Sequence, residues 1–175
     1  ETLLKSLEAK TPSQLKPGIS EEAYLDETDG SPQPFVRHLP EKYDRKTKYP
    51  LIIYLHGYSP YLDIVNWGTL PEGLQELADK LDACVVLPFA RGNTDFQGIG
   101  EQDVLNVIRQ MEKRYNIDED RIVLSGMSMG GMGVWTIGSH YPQLFAGLLV
   151  ISGRGDFYFW HKMKPDSLPA YKKLL

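Results

Sequence analysis

Four continuous apolar runs constrain this chain more than any other feature. Leu51-Ile52-Ile53-Tyr54-Leu55 ends at His56-Gly57, Ala83-Cys84-Val85-Val86-Leu87 at Pro88, Arg121-Ile122-Val123-Leu124-Ser125 at Gly126, and Ala146-Gly147-Leu148-Leu149-Val150-Ile151 at Ser152-Gly153. Runs without polar alternation are what strands covered on both faces require, and crossover helices are what covers them. Segments of helical period lie between the runs. Leu74, Leu77, Ala78 and Leu81 recur after Thr69, an N-cap candidate with Glu72 as its capping-box partner. Val104, Leu105, Val107, Ile108 and Met111 do the same before Asn116, read as a stop, and a third helix is expected over Met129 to His140, closed by Tyr141-Pro142. Four parallel strands joined by right-handed crossovers follow, giving an α/β fold with helices on both faces of a mostly parallel sheet.

The N-terminal part reads differently. Residues 1–22, interrupted by Pro12, Pro17 and Gly18, are expected to be an arm or linker, and residues 23–175 the folded domain. Ala23 to Asp26 and Gln33 to Leu39, separated by the turn dipeptide Asp29-Gly30, read as antiparallel edge strands. The 175 residues suit one domain with a sizeable core. With 42% hydrophobic and 24% charged residues, the chain is neither disordered, collagen-like nor coiled-coil. Nineteen Lys and Arg against 23 Asp and Glu give a net charge of −4 with scattered basic groups, so nucleic acid is not an expected partner. Cys84, the single cysteine, excludes an internal disulfide and reads as a small buried hydrophobe. No stretch is long enough for a membrane span. The chain opens at Glu1 without an initiator Met, so trimming is expected, and the residues leave a secreted or a cytoplasmic location open.

The chemistry concentrates at Gly126-Met127-Ser128-Met129-Gly130, between a buried strand and a helix. A serine on so tight a strand-to-helix turn needs small residues two positions before and after it. The bend lifts its hydroxyl clear of the sheet, and the helix start offers free N–H groups and a positive dipole end. This is the arrangement of an acyl-transfer nucleophile. His56-Gly57-Tyr58 ends the first parallel strand, where a second oxyanion donor is expected, so the N–H groups of Tyr58 and Met129 are the candidate pair. His56 precedes the serine and is expected to orient the loop rather than to act as base. Gly131, Gly133 and Gly138 weaken the presumed helix by up to about 1 kcal/mol each, which points to a close approach to the sheet. Arg91-Gly92-Asn93, beyond another strand end, is either part of a ligand site or an ordinary polar loop. No zinc motif, phosphate loop or dinucleotide fingerprint occurs, and neither metal nor cofactor is expected.

Beyond these residues, the chain resembles α/β-hydrolase serine esterases of the group including feruloyl esterases, polyhydroxybutyrate-depolymerase-like enzymes and prolyl-oligopeptidase-type catalytic domains. The likeness rests on Leu39 to Asp44, Tyr49 to Gly57, Asp118 to Arg121, Ser125 to Gly133 and Tyr141 to Ala146. It implies hydrolysis of a small-molecule ester through an acyl-enzyme on Ser128; the alternatives are a serine peptidase of the same fold, and a non-catalytic binding module or inactive fragment lacking the triad acid and base. A triad also needs an acid and then a histidine after the serine. Only Asp156, Asp166, His140 and His161 follow Ser128. His140 is placed for a surface or capping role, and Asp156 with His161 has the right order but a spacing of only five residues. The resemblance therefore implies an N-terminal portion of a hydrolase domain whose C-terminal strands are missing, with an exposed sheet edge and acid and base on a second chain or on strands lost from this one. Phe157 to Trp160 reads as packing beneath those strands rather than as the wall of an acyl pocket.

Overall fold

A computed structural model describes residues 16–65 and 67–155. Among them, six strands form one sheet: β1 (Gly18–Leu25), β2 (Pro32–Leu39), β3 (Tyr49–Leu55), β4 (Cys84–Pro88), β5 (Ile117–Met127) and β6 (Gly147–Ile151). The helices are α1 (Glu72–Lys80), α2 (Ile99–Arg114) and α3 (Met129–His140), the last followed by a short 3-10 turn at Pro142–Leu144. The strand order is β1-β2-β4-β3-β5-β6. The four apolar runs are the parallel strands β4, β3, β5 and β6, while β1 and β2 are antiparallel.

Consecutive residues of β2 show which face each helix covers. Arg37 donates from Nε to the Tyr115 hydroxyl just after α2, whereas His38 Nε2 lies 2.8 Å from Asp79 Oδ1 on α1. Neighbouring side chains of a strand point to opposite faces, so α1 and α2 lie on opposite sides of the sheet. His140 of α3 is 2.8 Å from Glu101 of α2, which puts α3 on the α2 side. The topology demands this. The chain steps from β3 to β4 in one direction and returns past β3 to β5, and right-handed crossovers that reverse direction change face. Phe35, Leu51, Ile53, Leu55, Val85 and Leu124, all fully enclosed, form the centre of the core. Cys84 is enclosed among them, and burial pushes its thiol up to about 12.

Several expectations are corrected. β1 begins at Gly18, five residues inside the segment read as an arm. Its polar stretch conceals a strand because Glu22 is tied by ion pairs to Arg37 and Arg114 instead of facing water. Of these two strands, β1 alone lies at a sheet edge among the described residues. β2 is paired on both sides, from Phe35 opposite Pro88 to His38 opposite Val85, and is buried on both faces from Gln33 to Leu39. The connection between them is a six-residue turn closed by hydrogen bonds from the Asp26 N–H to Ser31 and from the Gly30 N–H to Asp26, with Gly30 at φ +70°. Helix α1 starts at Glu72 with Pro71 as its N-cap, and Thr69 caps nothing. Proline disfavours helical geometry at the preceding residue, which bars an earlier start. Helix α3 has the bounds expected, and α2 ends two residues before Asn116.

On its outer side β6 has no strand among the described residues, and Leu149 and Ile151, on the face away from α3, are 54% and 39% exposed. Asp156, Phe157 to Trp160, His161 and Asp166 lie outside the described residues. No helix among the described residues is long and apolar enough to cross a membrane.

Candidate active site

The carboxyl ends of the parallel strands converge on Ser128. Strand β5 runs between β3 and β6, pairing Gly126 with Leu55 and with Val150, and its last residue Met127 with Ile151. The next residue, Ser128, turns the chain into α3 at φ +56° and ψ −116°, a left-handed conformation unusual for a residue with a side chain. The Ser128 N–H donates to Ile151 O at 2.9 Å, and its carbonyl accepts from the Met132 N–H at 3.0 Å. These bonds fix the bend from both sides while Ser128 itself remains exposed to solvent.

The flanking glycines are required by space. A Cβ at Gly126 would lie 2.5 Å from the backbone of Gly130, and one at Gly130 would lie 2.0 Å from Leu55 O. Farther along α3 the glycines allow the approach their helix-weakening character suggests. Gly131 faces Gly153 with room for no Cβ on either, and Gly138 faces Leu148 of β6. The partner of Gly133 is instead Phe96, a fully buried ring from the loop between β4 and α2.

The second half of the site is the loop after β3. Gly57 runs beside the serine, with the position of its missing Cβ 3.8 Å from Ser128 Cβ and 3.6 Å from Met127 O. Tyr58 follows with its side chain 65% exposed, and Met129, its side chain buried, opens α3. The Met129 N–H is one of the amides at a helix start that have no intrahelical acceptor. His56 is buried, its Nδ1 3.0 Å from Gly57 O and its Nε2 3.1 Å from Phe89 O. With a backbone carbonyl beside each ring nitrogen, one of them accepting the N–H of the neutral ring, and with the ring tilted against Phe96 at 5.1 Å, His56 packs under the loop and is not directed at the serine hydroxyl.

His140 lies three helical turns beyond Ser128, about 18 Å along the axis, too far to take its proton. It is paired with Glu101, both side chains largely buried, and so joins α3 to α2 rather than capping an exposed end. The Arg91 guanidinium is committed to structure. It contacts Asp103 at 2.7 Å and Asp29 at 2.6 Å, with Asp26 at 3.6 Å, fastening the β1–β2 turn to α2. Burial works to raise the Asp26 carboxyl, but the Thr28 N–H and Arg91 outweigh it and hold it below the ordinary range. At Asp103 burial prevails over Arg91 and Tyr24, and the carboxyl is raised. Asn93 makes two hydrogen bonds to Ser59 beside Tyr58, a link the sequence did not reveal because loop-to-loop pairing leaves no periodic trace.

A mostly parallel sheet crossed on both faces by helices, with an exposed serine on a glycine-flanked strand-to-helix bend, is the architecture of the α/β-hydrolase class. The Esterase family model matches residues 29–172, and the chain belongs to that family. It is 37% identical over 114 residues to the bifunctional acetylxylan esterase/xylanase XynS20E of Neocallimastix patriciarum, covering 62% of this chain and 16% of that protein. It is 26% identical over 152 residues to dipeptidyl-peptidase 5 of Porphyromonas gingivalis, covering 80% of this chain and 22% of the relative. Among solved structures, a thermostable esterase superposes with a TM-score of 0.63 at 28% identity, over 84% of this chain and 44% of its own. The chain thus spans about a fifth of the length of the curated relatives it matches.

Proposed function

We propose that this chain carries the nucleophile of a serine-dependent carboxylic ester hydrolase that works through an acyl-enzyme. The observation that carries the reading is Ser128, exposed at φ +56° between β5 and α3 with the Gly57 backbone alongside. In this reading Ser128 Oγ attacks the ester carbonyl, forming an Oγ–C bond as the carbonyl electron pair moves onto oxygen. The N–H groups of Tyr58 and Met129 stabilise that oxyanion, and loss of one such donor typically lowers turnover by about 10²–10³-fold. Collapse breaks the bond to the alcohol oxygen, which leaves with the proton taken from Ser128. Water then attacks the acyl-enzyme in the same way, releasing the carboxylic acid and restoring the hydroxyl. The steps require neither metal nor cofactor.

The imidazole that moves the proton, and the carboxylate that orients it, are assigned outside the described residues. Asp156 and His161 stand in the required order, and a second chain carrying further strands is the other source. The esterase relatives favour a small-molecule or carbohydrate ester as substrate. The dipeptidyl-peptidase relative favours a second reading, in which the same serine acylates on a peptide bond.

A fluorophosphonate probe, applied to the full-length protein and to Ser128→Ala, tests the proposal directly. Labelling of the wild type and none of the variant is expected. A wild type without Ser128-dependent labelling overturns the hydrolase reading and leaves a binding module. Release of p-nitrophenol from short acyl esters, set against release from a dipeptide amide, separates esterase from peptidase.

A further inference from the structure

We infer that Asn93 is a positioning residue that aims the Tyr58 N–H at the developing oxyanion, an inference that rests on the hydrolase reading above. The Tyr58 N–H belongs to the same planar unit as the Gly57 carbonyl, and in a trans peptide the two point in opposite directions. Whatever holds Gly57 O therefore aims the Tyr58 N–H. That carbonyl lies 3.0 Å from Nδ1 of the buried His56, whose Nε2 lies 3.1 Å from Phe89 O, and the one N–H of the neutral ring donates to one of the two. The next planar unit, from the Tyr58 carbonyl to the Ser59 N–H, is held by Asn93, whose Oδ1 accepts from the Ser59 N–H at 3.3 Å. Asn93 Nδ2 also donates to Ser59 O at 2.7 Å, so one carboxamide grips both backbone groups of the residue after Tyr58.

The two soft dihedrals of Tyr58 thus lie between two planes, the first packed against the buried His56 and the second fastened by Asn93 from the segment that follows β4. That segment is itself anchored. Arg91 is paired with Asp103 and Asp29, Thr94 Oγ1 donates to Ala90 O at 3.0 Å, and the Phe96 ring is enclosed between His56 and α3. A carboxamide combines a donor and an acceptor in one plane, which alanine lacks altogether and an ionised aspartate supplies only in part, so neither replaces Asn93 fully. Because Asn93 is exposed, its removal leaves the core intact.

The test uses the full-length protein, an ester substrate and the fluorophosphonate probe on the wild type, Asn93→Ala and Asn93→Asp. For Asn93→Ala, kcat and the labelling rate at Ser128 are expected to fall by about 10- to 100-fold, since misaiming a preorganised group acts on the transition state. KM is expected to stay within about two-fold and the melting temperature within about 2 °C. Asn93→Asp keeps the acceptor for the Ser59 N–H and loses the donor to Ser59 O, so its rate falls between the other two. A wild type that labels at Ser128 while Asn93→Ala labels equally fast overturns the positioning role alone. So does a rise in KM at unchanged kcat, which marks direct contact with substrate. A wild type that does not label at Ser128 overturns the hydrolase reading, and this inference with it.

Discussion

At Gly130 there is no space for a methyl group: its Cβ would stand 2.0 Å from Leu55 O at the end of β3 and 2.8 Å from His56 O, where the chain enters the Gly57–Tyr58 loop. Gly130→Ala must therefore push α3 off β3 and distort the bend at Ser128. A loss of about 3 kcal/mol or more is expected in urea denaturation, at the upper end of overpacking effects. Gly147 meets nothing within 4 Å and is the internal control, with Gly147→Ala expected within about 0.5 kcal/mol of wild type. Equal losses at the two positions would refute the steric argument. The demand at Gly126 and Gly130 is legible in the sequence because both sit at fixed offsets from Ser128. The reason for Gly133 is not, because Phe96 reaches it from a loop with no repeating pattern.

Elements bounded by strong periodic runs are legible to within a few residues, as α3 and the four parallel strands show. β2 has close to the bounds expected but an internal place in the sheet, and β1 starts earlier than expected because the sequence shows polarity there that the structure neutralises by pairing. Glu22 on β1 is met by Arg37, Arg114 and the Tyr115 hydroxyl, and Asp26 by Arg91, Asn106 and the Thr28 N–H. Arg91 is paired with Asp26, Asp29 and Asp103, and two of those carboxylates are almost fully enclosed. Removing one partner of a buried ion pair leaves an uncompensated charge, so Arg91→Ala is expected to lower stability by about 3–5 kcal/mol in urea denaturation. Adding Asp103→Asn is expected to restore part of that loss. An unchanged denaturation midpoint for Arg91→Ala would show that water, rather than the guanidinium, compensates these carboxylates.

Over the whole molecule the same groups set the response to acid. Burial works to raise Glu22, but the Tyr115, Arg114 and Arg37 hydrogen bonds outweigh it, so its carboxyl is lowered from the ordinary 4.5, as Asp26 is from 3.8. A carboxyl lowered in the folded state contributes its full stability above its unfolded value and loses it as pH falls through the folded one. Stability is therefore expected to decline as pH drops below about 4. Asp103, which is raised, has the opposite sign and favours folding when protonated. Urea midpoints measured from pH 6 to pH 3 check this, and Glu22→Gln should flatten the decline; an equally steep decline in that variant would place the sensitivity elsewhere. The site divides along similar lines. The serine bend is local in sequence and can be read there, whereas the fastening of Tyr58 depends on residues some 35 positions away. Four of the twelve residues of α3 are glycines, and a helix so composed does not persist in isolation. Its persistence depends on packing against β3 and β6, so the reactive bend is expected to be lost together with the sheet rather than to survive it.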